Sequence, residues 1–129
     1  MGVFTGPELA YLTLEGERRL ARVATVGPDG SIHVTPVGWS LADDATVVEI
    51  SGHDFAGTKK FRDVRRTGRA SLVVDDVLPP WRPRGVEIRG HAEAIDDGRP
   101  RIRIRPHRVV SWGLEEDGQP VPRSARDAG

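Results

Sequence analysis

The sequence predicts a mainly β protein, a six-stranded antiparallel barrel with two short helices. Six extended runs rich in small and β-branched residues alternate with turn sequences such as Gly27-Pro28-Asp29-Gly30. Only two stretches show the helical spacing of apolar residues. A chain of 129 residues holds one hydrophobic core but not two. Six strands around that single core are therefore expected to close into a barrel.

A helix and three strands make up the first half of the predicted domain. Thr5-Gly6-Pro7-Glu8 has the form of a capping box with proline in the first turn, and it predicts a short helix that covers one end of the core. Runs of β-forming residues separated by turns then predict an antiparallel meander, with strands at residues 20–26, 31–39 and 46–50.

A second helix and three further strands complete the domain, which is assigned to residues 1–114. The helix is predicted at residues 56–66, with Gly68 where a helix C-cap belongs. The prolines between residues 78 and 83 cannot donate to a strand ladder, so a loop is expected there. The three strands are predicted at residues 70–74, 85–95 and 101–112.

The remaining residues, 115–129, are predicted to lie outside the barrel. They are polar and include Gly118, Pro120 and Pro122. Such a composition buries too little apolar surface to offset the entropy of ordering. We therefore expect a flexible C-terminal tail.

Charge and cysteine content exclude several classes of function. The 19 basic residues balance the 19 acidic ones, which is not the pattern of a protein that binds nucleic acid or an anionic membrane. Without cysteine there is no disulfide, thiolate zinc site or iron–sulfur cluster. The chain shows neither a signal peptide nor a run of the ~20 apolar residues that cross a bilayer. We expect a cytoplasmic protein with no nucleic-acid or membrane partner.

The sequence names no catalytic residue and no metal site. Its four histidines lie on different predicted elements and have no metal-ligand spacing. A nucleophile elbow of the form Gly-x-Ser-x-Gly is missing, which disfavours hydrolysis. The histidines are His33, His53, His91 and His107.

Thr58-Lys59-Lys60 is the strongest candidate binding site. It follows Ser51-Gly52-His53 at the end of the third strand and lies near the start of the second helix. A helix N-terminus offers free amide groups and a favourable dipole to a phosphate, and the two lysines add positive charge. Spacing alone leaves open the alternative that the lysines form a solvated helix face.

Pro36-Val37-Gly38 is a second candidate, on the second strand. Proline and glycine within a strand indicate an edge, a bulge or a place where a flat ligand lies against the backbone. The alternative is an ordinary edge strand with Trp39 in the core.

Several motifs together resemble a known family. From about Thr5 to Leu114 the chain resembles the pyridoxamine 5'-phosphate oxidase-like superfamily, whose fold is the FMN-binding split β-barrel. More narrowly, it resembles the actinobacterial F420-dependent oxidoreductases of that superfamily. The motifs are Gly52-His53-Asp54, residues 59–64, residues 73–85 with their Pro-Trp-Arg-Pro run, Arg105-Pro106 and residues 109–114.

The resemblance implies a homodimer with two cofactor grooves at the subunit interface. It further implies that hydride passes between the deazaflavin F420 and an unsaturated organic small molecule. Two alternatives remain open: an FMN-binding oxidoreductase of the same family, and a non-catalytic protein that binds a cofactor or another planar ligand.

The resemblance also implies a set of cofactor-binding residues. Thr58, Lys59 and Lys60 correspond to the phosphate-binding segment. The strand segment beside the ring corresponds to Pro36, Val37 and Gly38, and the end of the third strand to Ser51 and Gly52. His53 follows these two residues directly and is counted among the cofactor-binding residues. Trp112 corresponds to a contact across the dimer interface. One departure is that relatives often insert a longer segment between the fifth and sixth strands, where this chain has only the turn 96–100.

Overall fold

A closed six-stranded antiparallel barrel with two helices forms the body of the protein, as the sequence predicts. The computed structural model describes residues 2–16 and 19–129. Neighbouring strands pair in the order β3-β2-β1-β4-β5-β6, and a further pairing of β3 with β6 closes the ring. The elements are α1 (Gly6–Leu12), β1 (Ala21–Val26), β2 (Ile32–Ala42), β3 (Val47–Ser51), a 3₁₀ turn (Phe55–Gly57), α2 (Lys59–Thr67), β4 (Arg69–Leu78), β5 (Arg82–Ile95), β6 (Arg101–Trp112), β7 (Glu115–Glu116), β8 (Gln119–Pro120) and β9 (Ser124–Asp127).

The barrel interior is filled by aliphatic side chains that alternate along the strands. Val23, Ile50, Leu72 and Ile88 are among the side chains that are almost completely buried. Phe61 from α2 is also fully buried and joins this core. Because α2 places its apolar side against the barrel, chiefly against β1 and β5, its first turn is held at a fixed position.

The second helix begins later than the sequence predicts. Residues 56–66 were expected to form one helix, but a 3₁₀ turn ends at Gly57 and α2 begins at Lys59. Thr58 separates the two because its extended backbone and its side chain form the N-cap of α2. The helix ends at Gly68 in the left-handed conformation, as expected for a C-cap glycine.

The β4–β5 hairpin is longer than predicted. The expected loop at residues 78–83 is reduced to a turn of three residues, 79–81, because β4 continues to Leu78 and β5 begins at Arg82. Pro83 pairs with Val77 inside this hairpin. Proline is tolerated there because pairing of β5 with β6 begins only at Gly85, so no second strand requires an amide hydrogen at Pro83.

The C-terminal segment is a correction to the predicted free tail. Residues 124–127 form β9, which pairs with residues 108–111 of β6. Arg126 turns inward and donates hydrogen bonds to the buried Glu8 of α1. Sequence patterning did not indicate this strand because a buried ion pair, and not apolar side chains, holds it against the barrel.

Candidate functional site

The start of α2 presents unpaired amide groups. Thr58 Oγ1 accepts a hydrogen bond from the Phe61 amide at 3.3 Å and donates one to the Phe55 carbonyl at 2.7 Å. The Arg62 amide bonds the Thr58 carbonyl, which leaves the Lys59 and Lys60 amides as the first helical donors without an intrahelical acceptor. The Thr58 hydroxyl therefore caps the helix and positions the two lysines, while its own hydrogen is already used.

A cavity of about 380 Å³ lies in front of these amides. The first part of β2, residues 32–37, borders it and pairs only with β1, whereas residues 38–42 pair with β3. The cavity therefore combines a helix N-terminus with a strand that has one free edge. Its lining residues are Val23, Thr25, His33, Val34, Thr35, Thr58, Lys59 and Lys60.

Lys59 is held in place by a buried carboxylate, Asp63. Lys59 Nζ lies 3.8 Å from Asp63 Oδ1. The Thr25 hydroxyl donates a hydrogen bond to Asp63 Oδ2 at 2.9 Å, and Arg66 Nη1 donates one to Asp63 Oδ1 at 3.3 Å. Burial alone would raise the pKa of Asp63, but the Thr25 hydrogen bond and the charges of Lys59 and Arg66 bring this pKa below its ordinary value. The carboxylate is thus ionised at neutral pH, and it anchors a lysine that remains half exposed.

Gly27 keeps the space around the Lys59 ammonium open. A Cβ atom at this glycine would lie 3.3 Å from Lys59 Nζ, 3.1 Å from His33 Nε2 and 3.3 Å from Asp29 Oδ1. The ammonium group therefore reaches the turn between β1 and β2, beside His33. Sequence reasoning did not assign His33, Thr25 or Asp63 to this site, although the spacing of Lys59 and Asp63 as a helical i,i+4 pair was a usable signal.

Lys60 lies on the other side of the helix start. Its ammonium is 5.6 Å from the centroid of the Phe55 ring, and among the described residues it takes part in no ion pair. The two lysines thus bring positive charge to the cavity from different directions, which suits a doubly charged anion such as a phosphate.

Gly38 and Ser51 lie side by side where β2 changes neighbours. They are paired across β2 and β3, and a Cβ atom at Gly38 would meet nothing within 4 Å. Pro36 is exposed, while Val37 is buried in the core. Pro36 and Gly38 are therefore exposed at the surface, and a flat ligand beside them stays a prediction.

The other predicted residues lie apart from the lysines within one chain. Gly52 lines a separate cavity of about 490 Å³. The His53 side chain is directed to solvent, with Nε2 at 3.1 Å from Asp54 Oδ2. Trp112 faces Gly85 across β5 and β6 and does not line the 380 Å³ cavity. A cofactor contact of Trp112 across an interface stays a prediction.

Neither a metal-ligand cluster nor a membrane-spanning helix occurs among the described residues. Within 2–16 and 19–129, no three or more His, Cys, Asp or Glu side chains group as metal ligands would. No helix in that part of the chain has the length and apolar content needed to cross a membrane.

The fold and the site define a split β-barrel with a lysine-lined cavity at the start of its second helix. The chain belongs to the pyridoxamine 5'-phosphate oxidase family, whose sequence profile matches residues 9–125. The family resemblance stated from the motifs is thereby confirmed.

A reductase is among the similar curated proteins. The chain is 40% identical over 125 residues to the 5a,11a-dehydrotetracycline/5a,11a-dehydrooxytetracycline reductase of Streptomyces rimosus, covering 88% of this chain and 86% of that protein. The name of this relative and the family description both support the prediction that the chain is an oxidoreductase.

Solved structures show the same fold at low sequence identity. A conserved hypothetical protein of Mycobacterium tuberculosis superposes with a TM-score of 0.70 at 22% identity, covering 93% of this chain and 91% of that one. A protein described as an F420 reductase superposes with a TM-score of 0.60 at 19% identity, covering 83% and 98%. At these identities the likeness concerns the fold alone.

Proposed function

We propose that this chain is a cytoplasmic, homodimeric, F420-dependent reductase that acts on the conjugated double bond of a polycyclic organic substrate. The observation that carries the proposal is the cavity at Lys59 and Lys60, which lies beside the free edge of β2. The relative named as a dehydrotetracycline reductase and the neighbour described as an F420 reductase support the same chemistry. When bound in its reduced form, F420 supplies a hydride to the electrophilic carbon of the substrate, and a solvent proton completes the reduction.

The residues at the start of α2 fit the phosphate of such a cofactor. Lys59 and Lys60 each offer an ammonium group and an unpaired amide, and Asp63 fixes the first ammonium without neutralising its exposed side. A phosphate in the cavity would accept these donors and lie at the positive end of the helix dipole. These residues bind and orient, and none of them is required to transfer a proton.

Exposed positive charge on α2 favours F420 over FMN. Arg62 and Arg65 are exposed on this helix, beyond the two lysines. F420 carries an acidic lactyl-glutamate tail that FMN lacks, so additional cations next to the phosphate site would stabilise F420 selectively.

An exposed apolar strip supports the proposed homodimer. Ile32 and Val34 of β2 are 76% and 64% exposed. They lie in register with Val26 and Ala24 of β1, whose side chains alternate with those of Val23 and Thr25 that line the cavity, so most of the strip lies on the outer face of the barrel. Covering this strip in a dimer would bury apolar surface.

The proposal is tested by titrating F420 and FMN against the purified protein, with cofactor fluorescence as the readout. We expect F420 to bind more tightly, and Lys59→Met with Lys60→Met to weaken binding by about tenfold or more, since charge-assisted bonds are lost. Arg123→Met, at an exposed residue that does not line the cavity, is the control and should bind F420 normally.

A turnover assay distinguishes an enzyme from a protein that only binds the cofactor. Reduced F420 is mixed with a panel of polycyclic enones and quinones, and the recovery of oxidised F420 is followed by absorbance. Tight binding without turnover on any of them would support the non-catalytic alternative, and preference for FMN would support the flavin alternative.

A further inference from the structure

A second, larger cavity opens beside Gly38. It has a volume of about 540 Å³ and lies between the end of α1 and β2. Leu12, Leu20, Trp39 and Leu41 give it apolar walls, and Arg19 is the one charged residue among the described residues that line it. Since Gly38 belongs to the strand segment proposed to lie beside the cofactor ring, the cavity is placed where a substrate would meet that ring.

The wall that carries Arg19 is fixed to β2. The Trp39 indole Nε1 donates a hydrogen bond to the Arg19 carbonyl at 2.9 Å. The Arg19 guanidinium donates to the Tyr11 carbonyl and lies over the Tyr11 ring, with Cζ 4.0 Å from the ring centroid. The position of the guanidinium group is thus determined by α1 on one side and by β2 on the other.

Arg19 retains unused hydrogen-bonding capacity. Its Nε and Nη1 atoms are buried and have no hydrogen-bond partner among the described residues. The Tyr11 ring attracts the positive charge but provides no lone-pair acceptor for an N–H group. Buried charged donors without an acceptor are costly and rare, and they indicate a group that is bound during function.

The Asp76 carboxylate is hydrogen-bonded to another arginine. Asp76 accepts two hydrogen bonds from Arg84, at 2.8 and 3.0 Å, and one from the Tyr11 hydroxyl at 2.8 Å. The charge of Arg19 contributes to the lowered pKa of Asp76, but the Nε and Nη1 donors of Arg19 remain without a hydrogen-bond acceptor among the described residues.

We propose that Arg19 binds an anionic oxygen of the substrate in this cavity. This inference rests on the proposed function and narrows it: the substrate is a flat, largely apolar molecule that carries a carboxylate or an enolate. The apolar walls bind its ring system, and the guanidinium group selects the molecule that bears the negative charge. Arg19 is a substrate-binding residue that determines specificity and takes no part in hydride transfer.

The test uses two ring systems that differ only in charge, anthraquinone-2-carboxylate and anthraquinone-2-carboxamide. Their binding to the full-length protein loaded with oxidised F420 is measured by calorimetry. The carboxylate should bind about tenfold more tightly, as expected for a charge-assisted hydrogen bond at a protected site. Arg19→Met should remove this preference, and Arg19→Lys should retain part of it. Arg123→Met, at an exposed residue that does not line this cavity, controls for the loss of one positive charge and should behave like the parent protein.

A third variant separates binding in the cavity from folding defects. Leu41→Trp fills the cavity from its apolar wall and should weaken both probes while F420 affinity and the melting temperature are kept. Equal binding of the two probes to the parent protein, or an unchanged preference in Arg19→Met, would overturn the inference. Failure of F420 to bind would instead refute the proposed function, and the two probes would then be compared on the cofactor-free protein.

Discussion

Glu8 in α1 accepts two hydrogen bonds from Arg126 in β9, at 2.6 and 2.8 Å. The Ser111 hydroxyl of β6 donates a third at 2.6 Å, and the Thr5 amide donates a fourth at 2.9 Å as part of the capping box. The carboxylate is completely buried. A single charged group therefore joins the first helix, a barrel strand and the last strand of the chain.

Replacing Arg126 with methionine should destabilise the protein by about 3 kcal/mol, because it leaves the buried Glu8 charge without its ionic partner. Denaturant unfolding followed by circular dichroism measures the loss. Arg123→Met is the matched control: this arginine is exposed, and its replacement should change stability by less than about 0.5 kcal/mol. Equal stability of the two variants would show that the Glu8–Arg126 contact contributes little.

The Glu8 carboxylate should make the stability of the protein depend on pH in the acidic range. Burial raises the pKa of Glu8, but hydrogen bonds from Arg126, Ser111 and Thr5 outweigh it and hold the pKa below the ordinary 4.5. A lowered folded-state pKa contributes stability above 4.5, and this contribution is lost as the pH falls through the lowered value.

Glu8→Gln tests this dependence. The variant should be less stable than the parent protein at about pH 6 and should lose less further stability down to about pH 3, since it has no such proton to take up. Melting temperatures across this range provide the measurement. Parallel curves for the two proteins would contradict the assignment.

Gly90, at the irregularity between β5 and β6, should not tolerate a larger residue. A Cβ atom there would collide with the Arg105 carbonyl oxygen, and it would lie 2.8 Å from Ile104 Cγ2. Gly90→Ala is expected to cost about 1–3 kcal/mol or more, as overpacking does when backbone atoms must move. Gly57→Ala is the control, since a Cβ atom at Gly57 meets nothing within 4 Å. Chemical unfolding of both variants should separate them clearly.

Thr58 should act as a helix cap and not as a hydroxyl ligand. Thr58→Ala is expected to lower stability by about 1 kcal/mol through loss of the cap, and Thr58→Ser should restore it. F420 affinity in the serine variant should equal that of the parent. If alanine reduced cofactor affinity at unchanged stability, the hydroxyl would be a direct ligand after all.

Local patterns were sufficient to predict the barrel. Turn residues such as Gly27-Pro28-Asp29-Gly30 and the capping box at Thr5 act within a few positions, so their geometry can be read from the sequence. β9 was missed because its position depends on Arg126 meeting Glu8, which lies 118 positions away. The full length of the β4–β5 hairpin was not predicted. Its Pro83 lies where β5 pairs with β4 alone, so no second strand requires an amide hydrogen at that position.

In the candidate site, too, residues with a local sequence signal were predicted, and residues whose role depends on tertiary packing were missed. The two lysines were identified from their place at a helix start, and the structure adds the cavity in front of them. Asp63 and His33 were not identified, because their roles depend on how α2 packs against β1 and on where that packing places the Lys59 side chain. Arg19 was also missed, since its importance lies in two buried nitrogen atoms without acceptors, a property that only coordinates reveal.

The open edge of β2 also affects how the protein behaves at high concentration. A strand with free backbone groups and exposed Ile32 and Val34 is a template on which strands of other molecules can add and build aggregates. Pro36 interrupts that template, because it has no N–H to donate to an incoming strand. Pro36 thus leaves the backbone accessible to a ring and also limits uncontrolled strand addition. Both properties restrict which residues can replace it.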